Sequence, residues 1–341
     1  MLDMNRKIKV LVIDDSMIFR EVLARGISSC PGIEVVATAI DPFDARDKII
    51  EYQPDVLTCD IEMPKMNGIE FIRRLMPQYP IPVIVVSSVS NAVFDAMNVG
   101  AVDFLTKPDM QQVNAIEIFI EALIAKIKIA AGAKVNAIAE ESRDVIEKDS
   151  NSNKIKIIAV GASTGGTESI FSVLKQLPPN MPGIVIVQHI PPLFSKMFAE
   201  RLDNQTCFTV KEARTGDLVE PGKVLVAPGD KHMSIIKVGS QYKAEVFEGE
   251  KVNGHCPSVD VLFESVAKTF GSNAIGVILT GMGYDGAKGL LSMKRKGAHT
   301  IGQDECSSVV YGMPKVAFDV GAVEKQVSLN LIPRAICSFL R

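Results

Sequence analysis

The chain has 341 residues, 47% of them hydrophobic and 23% charged, with a net charge of −3. That is long enough for two domains and apolar enough to bury a core in each, which excludes wholesale disorder. The mildly acidic balance and the absence of a basic arm argue against a nucleic-acid partner.

No window approaches the roughly 20 apolar residues that a membrane span needs. The basic stretch over 1–10 has no apolar run of the signal-peptide kind. A cytoplasmic protein that does not itself span a membrane is expected. Six cysteines stand singly, with no C-x-x-C pair, and read as reduced thiols rather than disulfides or zinc ligands.

From the start, short β-branched runs alternate with helical periodicity. Strands are predicted at 9–13, 34–38, 56–59, 83–87 and 102–106. A helix is predicted over 16–29, capped by Ser16, and another over about 114–128. Such alternation implies a parallel sheet with helices on both faces, whose chemistry lies at the carboxyl ends of its strands.

Those ends carry Asp14-Asp15, then Asp60 followed by I-E-M-P-K-M-N-G, then Ser87-Ser88, then Lys107-Pro108. Three carboxylates in one crevice repel one another unless a divalent cation neutralises them, and all-oxygen donors suit Mg²⁺. A metal and a lysine ammonium would stabilise phosphoryl transfer to one carboxylate, and the Ser87 hydroxyl would bond the new phosphate. Singly, each residue has an ordinary reading as a cap, a turn or an exposed lysine. Their joint position at successive strand ends favours the functional one.

This constellation resembles the response-regulator receiver family over about residues 7–128. The resemblance implies a flavodoxin-like (βα)5 domain over 1–129 with Asp60 as phosphoacceptor. It implies Asp14, Asp15 and Asp60 as Mg²⁺ ligands and Ser87, Phe104 and Lys107 as phosphate-switch residues. Phe104 has no hydroxyl, so any switch there rests on packing. From 130 to 153 the pattern fades into a charged, then Ser/Asn-rich stretch, which reads as a linker. A second domain is expected over 154–341.

There a strand over 155–160 runs into Gly161-Ala-Ser163-Thr-Gly-Gly166, followed by a helix to about residue 177. The loop has three readings: a nucleophile elbow at Ser163, a dinucleotide loop with serine at its second glycine, or a plain helix cap. A dinucleotide loop demands an acidic residue closing the next strand. The strand over 183–187 is followed instead by Gln188-His189.

His189 therefore falls on the edge where Ser163 must lie, as a base would. His232, His255 and His299 read as surface or loop residues. A third strand, 273–280, leads into Gly281-Met-Gly-Tyr-Asp285-Gly. Asp285 is the best-placed acid to orient the imidazole. Asp260 is the rival, although it reads as a first-turn helix residue behind the cap Ser258. Amides of Gly281, Met282 and Gly283 are candidate oxyanion donors.

The segments G-A-S-T-G-G-T-E, Q-H-I-P-P, A-P-G-D-K-H-M, H-C-P-S-V-D-V-L-F and G-V-I-L-T-G-M-G-Y-D-G-A are similar to the chemotaxis protein-glutamate methylesterase family. The resemblance covers about residues 154–335. It implies a Rossmann-like parallel α/β domain with a serine hydrolase triad of Ser163, His189 and Asp285, and an oxyanion-hole amide at Met282. It implies phosphorylation-activated hydrolysis of glutamate γ-methyl esters on chemotaxis receptors, releasing methanol, with deamidation of receptor glutamines. A chemotaxis histidine kinase would be the phosphodonor and methyl-accepting receptors the substrate. The esterase step needs no cofactor. Tyr284 and Cys256 depart from the family pattern. The rivals are a response regulator with a non-enzymatic output domain and a nucleotide-dependent methyltransferase or dehydrogenase.

Overall fold

Strands β1 (Ile8–Ile13), β2 (Ile33–Ala39), β3 (Val56–Cys59), β4 (Val83–Ser87) and β5 (Asp103–Thr106) form a sheet in the order β2-β1-β3-β4-β5. All its pairings are parallel. The computed structural model describes residues 6–88, 92–109, 114–135 and 155–340. It divides into two units, Met1–Glu140 and Glu141–Arg341.

In the first unit, helices α1 (Met17–Ser28), α2 (Pro42–Tyr52), α3 (Gly68–Leu75), α4 (Ala92–Asn98) and α5 (Ala115–Ala130) alternate with the strands. The central strands read as unbroken apolar runs because both faces are covered; Val10, Leu11, Val12, Val56 and Leu57 are fully buried. Side chains start the first three helices. Ser16 accepts from the Phe19 amide, Asp41 from those of Phe43 and Asp44, and Asn67 from that of Glu70. The strand order reverses between β1 and β3, which opens a crevice at their carboxyl ends. Ile13 pairs with Cys59, so Asp14 and Asp60 leave the sheet side by side. Gly68 lies against the Asp60 carbonyl oxygen, where a Cβ would collide with it. That contact folds the loop after β3 back over the strand end. Most of the expected linker, 136–153, lies outside the described residues.

The second unit runs β6 (Ile157–Ala162), α6 (Gly166–Gln176), β7 (Gly183–Gln188), α7 (Pro192–Gln205), β8 (Thr209–Glu212), β9 (Lys223–Val226), β10 (His232–Val238) and β11 (Gln241–Phe247). It continues with α8 (Val259–Phe270), β12 (Ala274–Ile278), α9 (Ala287–Arg295), β13 (His299–Gln303), α10 (Met313–Asp319), β14 (Lys325–Val327) and α11 (Ile332–Ser338). Seven strands form one parallel sheet in the order β14-β13-β12-β6-β7-β9-β8.

The hairpin β10-β11 is antiparallel and packs on α8, where the Ile235 amide donates to Ser265 Oγ and Thr269 Oγ1 donates to the Ile235 carbonyl. Phe263 on α8 is fully buried, and truncating it to alanine would cost about 3–5 kcal/mol. The strand expected at 155–160 sits two residues later, because Gly161 and Ala162 continue the ladder: their carbonyls accept from the Leu279 and His189 amides. In the register, Gly161 stands beside Ile278, and Ala162 beside Gln188. The chain therefore leaves β6, β7 and β12 at neighbouring points of one edge, again where the strand order reverses. Among the described residues, no helix is long and apolar enough to cross a membrane.

Candidate active site

Ser163 is the first residue past β6 and is half-buried. Its amide donates to the Thr280 carbonyl at 3.0 Å, and its carbonyl accepts from the Gly166 amide at 2.7 Å. The same carbonyl accepts from Gln188 Nε2 at 2.8 Å, and Gln188 Nε2 also reaches the His189 carbonyl at 3.2 Å. Gln188 is buried and spans the ends of β6 and β7. Gly166 leaves the room it needs, since a Cβ there would run into Gln188 Oε1.

His189 follows β7, and its Nε2 lies 2.9 Å from Asp285 Oδ2. Asp285 is 1% exposed and saturated with donors. Oδ2 also accepts from the Val259 amide at 2.7 Å; Oδ1 accepts from Ser258 Oγ at 2.8 Å, Asn253 Nδ2 at 2.9 Å and the Asp260 amide at 3.2 Å. Two of these amides belong to the first turn of α8, whose dipole also favours a negative charge. Burial alone would push the Asp285 carboxyl up, but the hydrogen bonds from His189, Asn253 and Ser258 outweigh it and hold the group far below the usual range. An ionised Asp285 can only accept, so the imidazole carries its proton on Nε2 and its lone pair on Nδ1. Nδ1 is buried without a hydrogen-bond partner, and no hydrogen bond joins it to the Ser163 hydroxyl in this structure.

Asp260, the rival acid, faces elsewhere. It accepts from the Gly289 amide at 2.6 Å and from Asn253 Nδ2 at 2.7 Å, and burial pushes its carboxyl up. Of the remaining histidines, read as surface or loop residues, His232 differs and His255 lies in a turn, half-buried. His232 is buried at the start of β10, accepting from the Ser258 amide at Nδ1 and donating to the Glu250 carbonyl from Nε2. His255 stacks on His189, with ring centroids 3.7 Å apart and planes 11° apart. His299 pairs with Glu324 and stacks on Phe339.

Of the candidate oxyanion donors, the Gly281 amide is taken by the Val310 carbonyl at 3.0 Å. The Met282 amide has no acceptor among the described residues. Gly281 lies against Ser163, where a Cβ would come within 2.7 Å of the serine Cβ. The side chains of Met282 and Tyr284 are exposed beside it. Asn253 carries no site signal in the sequence, and His255 and Ser258 read there only as a loop residue and a helix cap. The Asn-Gly pair at 253–254 marks a turn in the sequence but not what the turn approaches.

In the first unit, carboxylate oxygens of Asp14, Asp15 and Asp60 lie within 4.8 Å of one another. Asp14 and Asp60 are buried and Asp15 is exposed. Lys107 Nζ is 2.7 Å from Asp14 Oδ2 and 2.5 Å from Asp60 Oδ2. Burial pushes the Asp14 carboxyl up, more than Lys107 pulls it down. Burial pulls Lys107 down, but its bonds to Asp14 and Asp60 outweigh this and hold it charged. Among the described residues, the cluster thus sets three carboxylates around the Lys107 ammonium, which pairs with two of them; this excess of negative charge on oxygen donors fits a hard divalent cation. Ser87 ends β4, buried, and pairs in register with Thr106. Phe104 lies inside β5, buried edge-on against Phe94 at 6.2 Å.

Residues 158–336 match the CheB methylesterase family model, and residues 10–117 match the response regulator receiver domain. A protein-glutamate methylesterase/protein-glutamine glutaminase 2 of Syntrophomonas wolfei is 56% identical over 331 residues, 97% of both chains. A protein-glutamate methylesterase/protein-glutamine glutaminase of Syntrophotalea carbinolica is 48% identical over 345 residues, 98% of both chains. Among solved structures, the Thermotoga maritima CheB methylesterase catalytic domain is 38% identical, with a TM-score of 0.53 over 54% of this chain and 98% of that one.

Proposed function

The chain belongs to the CheB methylesterase family, and we propose that Ser163, His189 and Asp285 carry its chemistry, under the control of phosphorylation at Asp60. It is a phosphorylation-regulated hydrolase of chemotaxis, a protein-glutamate methylesterase and protein-glutamine glutaminase. The observation that carries the assignment is the His189–Asp285 pair, 2.9 Å long, on the strand edge that also presents Ser163.

His189 Nδ1 takes the hydroxyl proton as Ser163 Oγ attacks the γ-carbonyl of a receptor glutamate methyl ester. The Met282 amide donates to the oxyanion of the tetrahedral intermediate. Collapse transfers the proton from His189 to the departing methoxide, giving methanol and an acyl-serine. Water, deprotonated by the same nitrogen, then releases the glutamate carboxylate and restores the serine. With a glutamine side chain the leaving group is ammonia, and every other step is the same.

In the receiver unit, Asp60 is the phosphoacceptor, with a chemotaxis histidine kinase as phosphodonor. Asp14, Asp15 and Asp60 would hold Mg²⁺, which supplies charge neutralisation during phosphoryl transfer. Lys107, paired with Asp60 Oδ2, neutralises the attacking carboxylate, and Ser87 and Phe104 respond to the phosphate. The test is methanol release from methyl-labelled receptor membranes, with ammonia release from receptors carrying glutamine. Ser163→Ala is expected to abolish both in a protein that melts normally. Wild-type turnover by that variant would remove Ser163 as nucleophile.

A further inference from the structure

Val252 and His255 exchange both of their backbone hydrogen bonds, each 3.0 Å long. They close a two-residue turn whose central residues, Asn253 (φ 54°) and Gly254 (φ 84°), are both left-handed. This is the type I′ pattern, which Asn-Gly adopts at least cost. The turn brings two side chains onto the proposed triad.

Asn253 Nδ2 gives one hydrogen to Asp285 Oδ1 at 2.9 Å and the other to Asp260 Oδ2 at 2.7 Å. These two buried carboxylates are close enough to repel, and the amide stands between them. His255 lies face to face with His189. Burial, and then the charge of His189, pull His255 down to about 4, so it remains neutral when His189 takes a proton.

The stacking also sets an angle. Asp285 holds His189 at Nε2 alone. One hydrogen bond fixes a point and leaves the ring free to rock about it. A second ring 3.7 Å away and nearly parallel removes that freedom. With the ring tethered to the backbone through Cβ, Nε2 pinned and the plane fixed, the direction of Nδ1 is fixed.

We propose that the Asn253–Gly254 turn is a positioning clamp for the reaction: Asn253 holds the Asp285 carboxylate, and His255 holds the plane of the His189 ring so that Nδ1 is aimed at the nucleophile. The proposal rests on the triad assigned above. Both residues act through other groups and touch neither substrate nor reacting atoms.

The experiment measures kcat and KM for methanol release from methylated receptor membranes by the full-length protein, with ammonia release and melting midpoint alongside. Ser163→Ala is run in parallel; activity in that variant means that the triad reading has failed, independently of the clamp. His255→Ala is expected to lower kcat by about 10- to 100-fold, the usual cost of a misplaced catalytic group. KM and melting midpoint should stay near wild type, and ammonia release should fall by the same factor. His255→Phe keeps a flat ring without a nitrogen and should recover most of the loss. Asn253→Asp, which sets a third carboxylate against Asp260 and Asp285, should be worse than Asn253→Ala. Wild-type kcat in His255→Ala overturns the clamp. A rise in KM with kcat unchanged overturns it in favour of a receptor contact. Equal loss in His255→Ala and His255→Phe overturns it in favour of a proton carried by the His255 nitrogen.

Discussion

His189 meets Asp285 through Nε2, with Oδ2 2.9 Å away, and so keeps Nδ1 for proton transfer. The chymotrypsin-type triad uses the ring the other way round, with the carboxylate on Nδ1. What matters in both is that an ionised carboxylate dictates the tautomer. Here five donors, three of them backbone amides or hydroxyl groups around the start of α8, keep that carboxylate ionised.

The first prediction follows from that donor set. In Asp285→Asn, one side-chain oxygen becomes an NH₂ that, whichever way the amide turns, meets a backbone amide of α8 that can only donate. The neutral amide also no longer requires the proton on Nε2. We expect kcat for methanol release to fall by about 10³–10⁴-fold, the order seen when a triad acid is made an amide. Stability should fall as well, by about 1–3 kcal/mol for each donor left without an acceptor. The stability term has a defined pH dependence. The Asp285 carboxyl is held below its unfolded value, so its contribution is fully present at neutral pH and is lost as the pH drops toward the folded value. Denaturant midpoints taken from neutral to acid pH should therefore fall more steeply for wild type than for Asp285→Asn. Parallel curves, or an amide variant within tenfold of wild-type turnover, would remove Asp285 from its role.

A second prediction concerns Gly166 and Gln188. Adding a Cβ at Gly166 drives it into Gln188 Oε1 and forces the amide off the Ser163 and His189 carbonyls. Gly166→Ala should lower both the melting midpoint and kcat. Gln188→Ala should do the same, since it leaves the Ser163 carbonyl short of a donor. In the double variant the new methyl enters space vacated by the glutamine, so the two losses should not add; a coupling of about 0.5–3 kcal/mol is typical of residues in direct contact. A double-mutant cycle on stability measures it. Strict additivity would mean that the glycine is there for some other reason.

The parts of this architecture that could be read in the sequence are those set by local pattern. Val56–Cys59 and Val83–Ser87 are buried apolar runs, and they fall where the alternation puts them. Asp14, Asp60, Ser163 and His189 follow strands directly, so a parallel sheet brings them to its carboxyl edges without further information. The surroundings of Asp285 were less legible, because they depend on chain returning from elsewhere. Asn253, Ser258 and Asp260 are 25 to 32 residues from Asp285 in sequence. Pro257 and the α8 cap mark a helix start but do not say what that start faces. Position past a strand end favours Asp285 over Asp260 in the sequence, but that both carboxylates are buried and share Asn253, and that His189 reaches only Asp285, depends on the fold. In the sequence His232 reads as a loop residue, directly after Pro228-Gly-Asp-Lys231. The hairpin that begins with it turns the ring inward, where a backbone amide and a carbonyl satisfy both nitrogens. The family resemblance already points to Met282, but the physical reason that excludes Gly281, an N–H taken by the Val310 carbonyl, depends on the fold.

The last prediction is for Asp14. It is 1% exposed, shares the crevice with Asp60, and has one cation, Lys107, 2.7 Å from Oδ2. Burial pushes its carboxyl above the usual value despite Lys107. A carboxyl that binds its proton more tightly in the folded state costs stability once it is ionised, and that cost is relieved as the pH falls through the raised value. Asp14→Asn keeps an acceptor for the Ser16 amide, which donates to Oδ1 at 2.9 Å, while removing the charge. In the absence of divalent ions, the receiver unit of the variant should melt higher than wild type at neutral pH. With Mg²⁺ the order should reverse, because a cation repays the repulsion that the wild-type site stores. The wild-type shift with Mg²⁺ should also shrink as the pH is lowered, since the metal then competes with a proton for Asp14. Melting curves of both proteins with and without Mg²⁺ across this range decide it. A lower melting point for metal-free Asp14→Asn would mean that the Lys107 ion pair outweighs burial. Equal Mg²⁺ shifts in the two proteins would mean that Asp14 is not a ligand.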